Sequence, residues 1–309
     1  MAMKENPFME EKPSTEEGLS LEERIRKFME ELARISPEKP MVEITPYRGE
    51  TTVFSSKFGG VPYFPKDMEY PAVREGGLAG KPIRFLAQLN FAEIPHMEGF
   101  PTDGILQFFA GCDGDDVYGL DFDDPLSQNA FRVIYHEKLI DDGSRLCGAE
   151  DMPVFEDDDY PFEGEFALKF SEKKPSLVSM GDYQFDRFAC EAYNRAFGGN
   201  IQILYGPEDS MEDADPELYD ALLDGGLDDD EVIESLSCDG SHVGGYPYFT
   251  QSDPREYEAA YQKCDTVLLQ IDTDDEIMWG DSGVANFFIP AEDLAKKDFS
   301  RVLYNWDCC

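Results

Sequence analysis

From Ser20 to Ile35 the chain reads SLEERIRKFMEELARI, with Leu21, Ile25, Phe28, Leu32 and Ile35 recurring at intervals of four and three. That spacing lays the apolar residues along one stripe of a helix and turns the charged ones outward. Ser20 and Glu23 form a capping box at its start. Ser36-Pro37 ends it, because proline restrains the residue before it and offers no N–H. The pattern predicts an N-terminal amphipathic helix, with residues 1–19 as a mobile tail.

Beyond this helix the period changes. RFLAQLNF and GILQFFA are rich in aromatic and aliphatic residues, and FRVIYHEK alternates Phe131, Val133 and Tyr135 with Arg132, Ile134 and His136. Such runs predict strands of a half-buried sheet, and the glycines and prolines between them favour antiparallel connections over β-α-β crossovers. A second helix is predicted over DYQFDRFACEAYNRAF, capped by Asp182, with Phe185, Phe188, Ala192 and Ala196 inward and Gly198-Gly199 as its stop. Segregated strands and helices make an α+β chain.

Two strand-rich stretches share an ordered set of motifs. SKFGGVPYF (56–64) and SHVGGYPYF (241–249) agree at six of nine positions, and FLAQLN (85–90) is matched by VLLQID (267–272). Gly104, Phe108 and Phe109 return as Gly283, Phe287 and Phe288. The expectation is an internal duplication, giving two related antiparallel β-rich units over about 53–135 and 241–309 within one domain, 20–309. The segment between them, about 136–240, is then a helical acidic insert, since no Lys or Arg lies between Arg195 and Arg255. Asp215-Pro216 and Leu227-Asp228 each read as a short helix start within it.

Charge narrows the function classes. With 66 acidic against 26 basic residues the formal charge is −40, which opposes nucleic-acid binding, a process driven by Lys and Arg displacing counterions. Self-repulsion for solubility explains the excess without a partner, although a basic protein would also be attracted. No run of eighteen apolar residues predicts a membrane helix and no apolar leader opens the chain. Seven scattered cysteines without C-x-x-C pairs fit a reducing, cytoplasmic setting.

The shared motif residues are those that tight turns and cores require, so candidate chemistry is sought where the copies differ. Lys57 faces His242, Lys66 faces Gln251, Phe100 faces Trp279 and Thr102 faces Asp281. His242, Gln251, Asp253, Arg255, Trp279 and Asp281 are therefore the candidate binding residues. Turn capping by Asp253, a surface ion pair for Arg255 and a backbone bond for His242 would account for the same residues structurally.

Other motifs fail on spacing. Gly280-Asp281-Ser282-Gly283 is followed by Val284 and misses both the serine-protease and nucleophile-elbow patterns. GLAGKP is too short for a phosphate loop, Cys238 and His242 lack a second ligand pair, and DGDD, DFDD and DTDDE do not continue into a calcium loop. No cofactor and no metal are expected.

SHVGGYPYFTQSDPR, DTVLLQIDTDD, WGDSGVANFFI and DFSRVLYNWDC, with SKFGGVPYFP, FLAQLNFAEIP and DDVYGLDFDDP earlier, resemble the YwqG family of bacterial proteins, a domain-of-unknown-function family. The resemblance runs from about Val53 to the carboxyl terminus and implies an α+β fold and a bacterial cytosolic setting, with no reaction or catalytic residues to carry over. Two functions stay open. The first is a non-enzymatic binding or interaction protein, immunity-like or regulatory, whose partner is a basic protein or small ligand. The second is an enzyme with Asp281 or Asp253 as base, His242 as acid and Arg255 clamping an anion, which requires those side chains to converge.

Overall fold

Ten strands hydrogen-bond into one continuous antiparallel sheet. They are β1 (Met41–Tyr47), β2 (Lys57–Gly59), β3 (Phe85–Asn90), β4 (Ile105–Ala110), β5 (Phe131–His136), β6 (Glu165–Glu172), β7 (His242–Gly244), β8 (Thr266–Asp272), β9 (Val284–Ile289) and β10 (Leu303–Asp307). The computed structural model describes residues 19–309 apart from 115–116, 157–159, 173–174, 202–210 and 224–235. The expected tail therefore lies almost wholly outside the described residues, as does the Leu227-Asp228 helix start.

The strand order is β10-β9-β8-β7-β1-β6-β2-β3-β4-β5. This corrects the expectation of two β-rich units separated by a helical insert: both strand sets are flanks of a single sheet. Its centre is the β1–β6 pair, in register from Val42 opposite Glu172 to Tyr47 opposite Ala167. Left alone, β2 and β7 would each expose a row of unpaired backbone groups; β6 covers one edge and β1 the other. The supposed insert thus contributes a central strand, β6, whose Phe166, Leu168 and Phe170 alternate along EFALKFSE, besides its helices.

The sheet curls until its far ends approach, an almost closed barrel. Phe287 of β9 packs 4.8 Å from Phe108 of β4, and Tyr304 of β10 lies 5.1 Å from Phe131 of β5, ring centre to centre. The loop between β4 and β5 straps the gap. Pro125 O accepts from Tyr304 N–H (3.0 Å), and the Gln128 amide donates to Phe299 O (2.8 Å). The interior holds Val42, Ile44, Phe58, Leu106, Phe131, Phe166 and Val243.

Helices form a smaller layer. In α1 (Leu21–Ile35) Ser20 Oγ accepts from Glu23 N–H (3.2 Å) and Glu23 accepts from Ser20 N–H (2.8 Å), the predicted capping box. Its Ile25, Phe28 and Leu32 pack against Phe185, Phe188, Ala192 and Tyr193 of α2 (Phe185–Phe197). Burial of each of the larger apolar side chains, Ile25, Phe28, Leu32, Phe185 and Phe188, stabilises the fold by roughly 1.5–3 kcal/mol. The α2 start differs from expectation: Gln184 precedes the helix, while Asp182 accepts its N–H (2.9 Å) one turn earlier. The other Asp182 oxygen accepts from Arg255 (2.9 Å), which ties this turn to the Asp253 loop. The helices α3 (Met211–Ala214) and α4 (Pro216–Leu223) follow, α4 beginning at the predicted Asp215-Pro216, where Arg24 of α1 bonds Asp215 (2.8 Å). A short α5 (Ala291–Leu294) precedes β10. Among the described residues, no helix is long and apolar enough to cross a membrane.

The two Gly-Gly corners have matching bonds. Tyr63 N–H donates to Gln88 Oε1 and Tyr248 N–H to Gln270 Oε1, both at 2.8 Å. Gln107 then donates to Tyr63 O (2.5 Å) and Asn286 to Tyr248 O (2.8 Å). Apolar-looking strand runs thus carry buried amides that pin each corner to its own flank of the sheet.

Candidate functional site

A cleft of about 460 Å³ opens at the second corner. The chain leaves β7 with Gly244 at φ +73° and Gly245 at φ +70°, a left-handed turn that side chains resist. A Cβ on Gly244 would sit 2.3 Å from Pro40 O, so only glycine lets the corner cross the start of β1 this closely. Gly245 N–H donates to that same carbonyl (2.8 Å), fixing Pro40 and, before it, Lys39 beside the corner. Lys39 is further held by backbone bonds in both directions with Ser176 (3.3 and 3.0 Å).

Tyr246 is buried beneath Lys39. Its hydroxyl donates to Pro37 O (2.9 Å), and burial pushes its pKa up to about 12. The Lys39 ammonium lies 4.3 Å from the centre of this ring and donates to Asp265 O (2.7 Å). Burial also lowers the pKa of Lys39; Arg255 acts in the same direction, against Asp182, Asp265 and Asp253. The facing wall comes from the start of α2, with Tyr183, Gln184, Arg187 and Phe188, and the rim from Glu98, Phe100 and Thr266.

The α2 wall rests on a buried charge network. Asp182, Asp253 and Arg255 are 3%, 2% and 1% exposed. Arg255 donates through Nε to both Asp253 oxygens (2.9 and 3.0 Å) and through Nη2 to Asp253 (2.6 Å) and Asp182 (2.9 Å). Its plane lies 4.4 Å from the Phe288 ring and 5.0 Å from that of Tyr183. Backbone N–H groups of Tyr183 (3.0 Å), Gln184 (2.9 Å) and Arg255 (2.9 Å) supply the remaining donors. Burial works against the guanidinium's charge, but the Asp253 bonds and the two carboxylates outweigh it and raise its pKa. With its carboxylates this well satisfied, the network locks the turn that carries Tyr183 and Gln184 into the cleft.

Of the six residues singled out from the sequence, Asp253 and Arg255 thus stand behind the cleft wall. His242 is buried within its own turn, Nδ1 at 2.9 Å from Gly244 O and Nε2 at 3.2 Å from Cys238 O. A neutral ring satisfies one of these contacts and an imidazolium both. Gln251 and Asp281 are exposed and meet the last residues of the chain: Gln251 donates to Cys308 O (2.5 Å) and Asp281 O accepts from Cys309 N–H (3.3 Å). Trp279 is fully buried 5.4 Å from Tyr118 and 6.3 Å from Trp306, its indole N–H without a hydrogen-bond partner among the described residues. Among His242, Asp253, Arg255 and Asp281, the described bonds join only Asp253 to Arg255.

Sequence reasoning passed over Lys39, Tyr183, Arg187 and Tyr246. The one local signal was Lys39 itself, a cation between Pro37 and Pro40; its approach to the corner depends on β1 pairing with β7, across most of the chain. The first corner offers a contrast. There Gly59 and Gly60 border a hollow of about 180 Å³ whose cation, Arg84, has an acidic partner in Asp113 (3.2 Å). A third hollow, of about 500 Å³, is lined by Tyr47, Glu50, Ser56 and Glu93, and Glu93 there accepts Ser56 N–H (2.7 Å). Among the described residues, no group of three or more His, Cys, Asp or Glu side chains is placed to hold a metal ion.

No curated protein matches the chain. The model of a family described as a domain of unknown function, DUF1963, matches residues 56–308, from the first corner through β10 and hence both glycine corners and all the strands except β1, and the chain belongs to that family.

Proposed function

We propose that this is a non-enzymatic binding protein and that the cleft at Gly244–Gly245 is its ligand site. The carrying observation is the Asp182–Arg255–Asp253 network, which fixes the cleft wall from behind with side chains at most 3% exposed. Burying a cation between two carboxylates is expensive even when every partner is met, and apolar packing usually does as well for stability alone. A wall held this firmly costs little to order when a ligand arrives. The opposite wall, with Lys39 and Pro40, lies ahead of residues 56–308, so ligand choice belongs in part to a segment outside the family span. The YwqG resemblance and the seven free cysteines support a bacterial cytosolic setting.

The test is a fragment screen by ligand-observed NMR, using small aromatic and aliphatic acids, alcohols and amines against the wild type and Thr266→Trp. Thr266 lies at the rim and is partly exposed, so an indole there is expected to obstruct part of the cleft from its rim. Fragments that bind the wild type are expected to lose at least tenfold in affinity for the variant. Fragments that bind both alike would place the ligand site elsewhere.

A further inference from the structure

Resting on that reading of the cleft, we propose that its ligand is a small molecule with an anionic oxygen group, carboxylate or phosphate, on an aromatic body. Lys39 is the central observation. Its ammonium has three N–H donors, and its one hydrogen bond among the described residues goes to Asp265 O. No carboxylate oxygen among them lies within 4.0 Å of it. The Asp265 carboxylate is exposed and turned from Lys39, its Oδ1 accepting Ala291 N–H (2.9 Å) and the Thr266 hydroxyl (3.2 Å), and acts on the ammonium only beyond ion-pair distance. Asp182 and Asp253 are already committed to Arg255. Two acidic residues, Glu98 and Asp265, line the cleft, yet among the described residues no carboxylate is in ion-pair contact with this half-buried ammonium.

A second cation faces the same space. Arg187 donates to Gln184 Oε1 (3.0 Å) and lies 4.4 Å from the Phe188 ring, and it too has no carboxylate in ion-pair contact among the described residues. Two cations lining one cleft, each hydrogen-bonded to a single neutral acceptor among the described residues, suit an oxyanion. Between them the cleft presents the rings of Phe100, Tyr183, Phe188 and Tyr246, which match a flat apolar body. The overall charge of −40 repels polyanions at long range, so the fitting ligand is small and selected at contact distance. Binding an anion beside Lys39 also restores the charge that burial disfavours.

The experiment is isothermal titration of naphthalene-2-carboxylate, 2-naphthyl phosphate, naphthalene-2-methanol and 2-naphthylmethylamine into the wild type, Lys39→Met, Arg187→Gln and Thr266→Trp. Carboxylate or phosphate is expected to bind at least tenfold more tightly than the alcohol, and the amine most weakly. The phosphate-to-carboxylate ratio identifies which oxyanion the site prefers. Lys39→Met removes at least tenfold of the anion affinity while leaving the alcohol unchanged. Arg187 is exposed, so Arg187→Gln reports on the same preference should Lys39→Met fail to fold. An alcohol that binds as well as the acids, lost only in Thr266→Trp, overturns the anionic class and leaves the cleft standing. Binding untouched by Thr266→Trp overturns the cleft itself, and absence of binding by every probe overturns the aromatic-anion proposal.

Discussion

His136, at the end of β5, shows how much a single buried side chain can set. Gln107 donates its amide to Tyr63 O and Gln88 Oε1, so its own Oε1 is an acceptor and His136 Nε2 carries the proton of their 2.8 Å bond. Tyr63 stands edge-on 4.9 Å from the imidazole, and burial pushes the His136 pKa from 6.5 to about 4. Between those values the unfolded chain takes up a proton that the folded protein refuses. The stability is therefore whole above pH 6.5 and falls as pH drops toward 4, by about 1.4 kcal/mol for each pH unit. His136→Gln keeps a donor and removes the titration. Urea denaturation at pH 7.5 and pH 5 is expected to show the variant gaining roughly 2 kcal/mol on the wild type over that interval, whereas parallel profiles would mean the ring is not held neutral.

At the scale of elements, the corners set how the flanks meet the central strand pair. Gly59 (φ +65°) would place a Cβ 2.3 Å from Gly164 O, as Gly244 would from Pro40 O. Both carbonyls belong to the chain leading into β6 or β1, so each corner sits where a flank joins the centre. Gly76 (φ +88°) has the same handedness with nothing within 4 Å. Gly76→Ala is expected to cost about 1 kcal/mol for its backbone conformation alone, and Gly59→Ala and Gly244→Ala about 2 kcal/mol more for the clash with a backbone atom. Equal losses at the three sites would show that close approach adds nothing. The corners were legible in the sequence because glycine pairs followed by proline and aromatics have few uses other than tight turns. The predicted helix α1 was legible for a similar reason, its cap and period being local. β1 and β6 were not: β1 offers only Met41, Val42 and Ile44 before Pro46, and β6 was obscured by charged neighbours at both ends. Assigning them depends on which edges need a partner, a fact about the assembled sheet.

Over the whole molecule the same distinction separates what charge says from what the cleft says. Composition gave the expectation against nucleic acid without placing a single acid, whereas Lys39, with no ion-paired carboxylate among the described residues, became visible only once β1 lay beside β7. The nonlocal Asp182–Arg255–Asp253 network was likewise hidden, since Asp182 reads locally as a helix cap and Asp253 as a turn cap; Asp253 does cap its turn, whereas Gln184 takes the cap position of α2 and Asp182 accepts the Gln184 N–H. Self-repulsion is the remaining large-scale effect. Of the ion pairs among the described residues, many join surface side chains, such as Arg48–Glu276 and Lys297–Glu137, and exposed pairs of this sort stabilise by at most about 1 kcal/mol. They cannot offset the repulsion from a formal charge of −40, which acts across the molecule and favours an expanded chain. Salt weakens both, but it shortens the reach of the repulsion from about 30 Å at 0.01 M to about 8 Å at 0.15 M. The thermal midpoint is therefore expected to rise by several degrees as sodium chloride goes from about 0.01 M to about 0.15 M, the Debye-length range just named. Calorimetry checks this, and a midpoint that falls would mean the surface pairs outweigh the net charge.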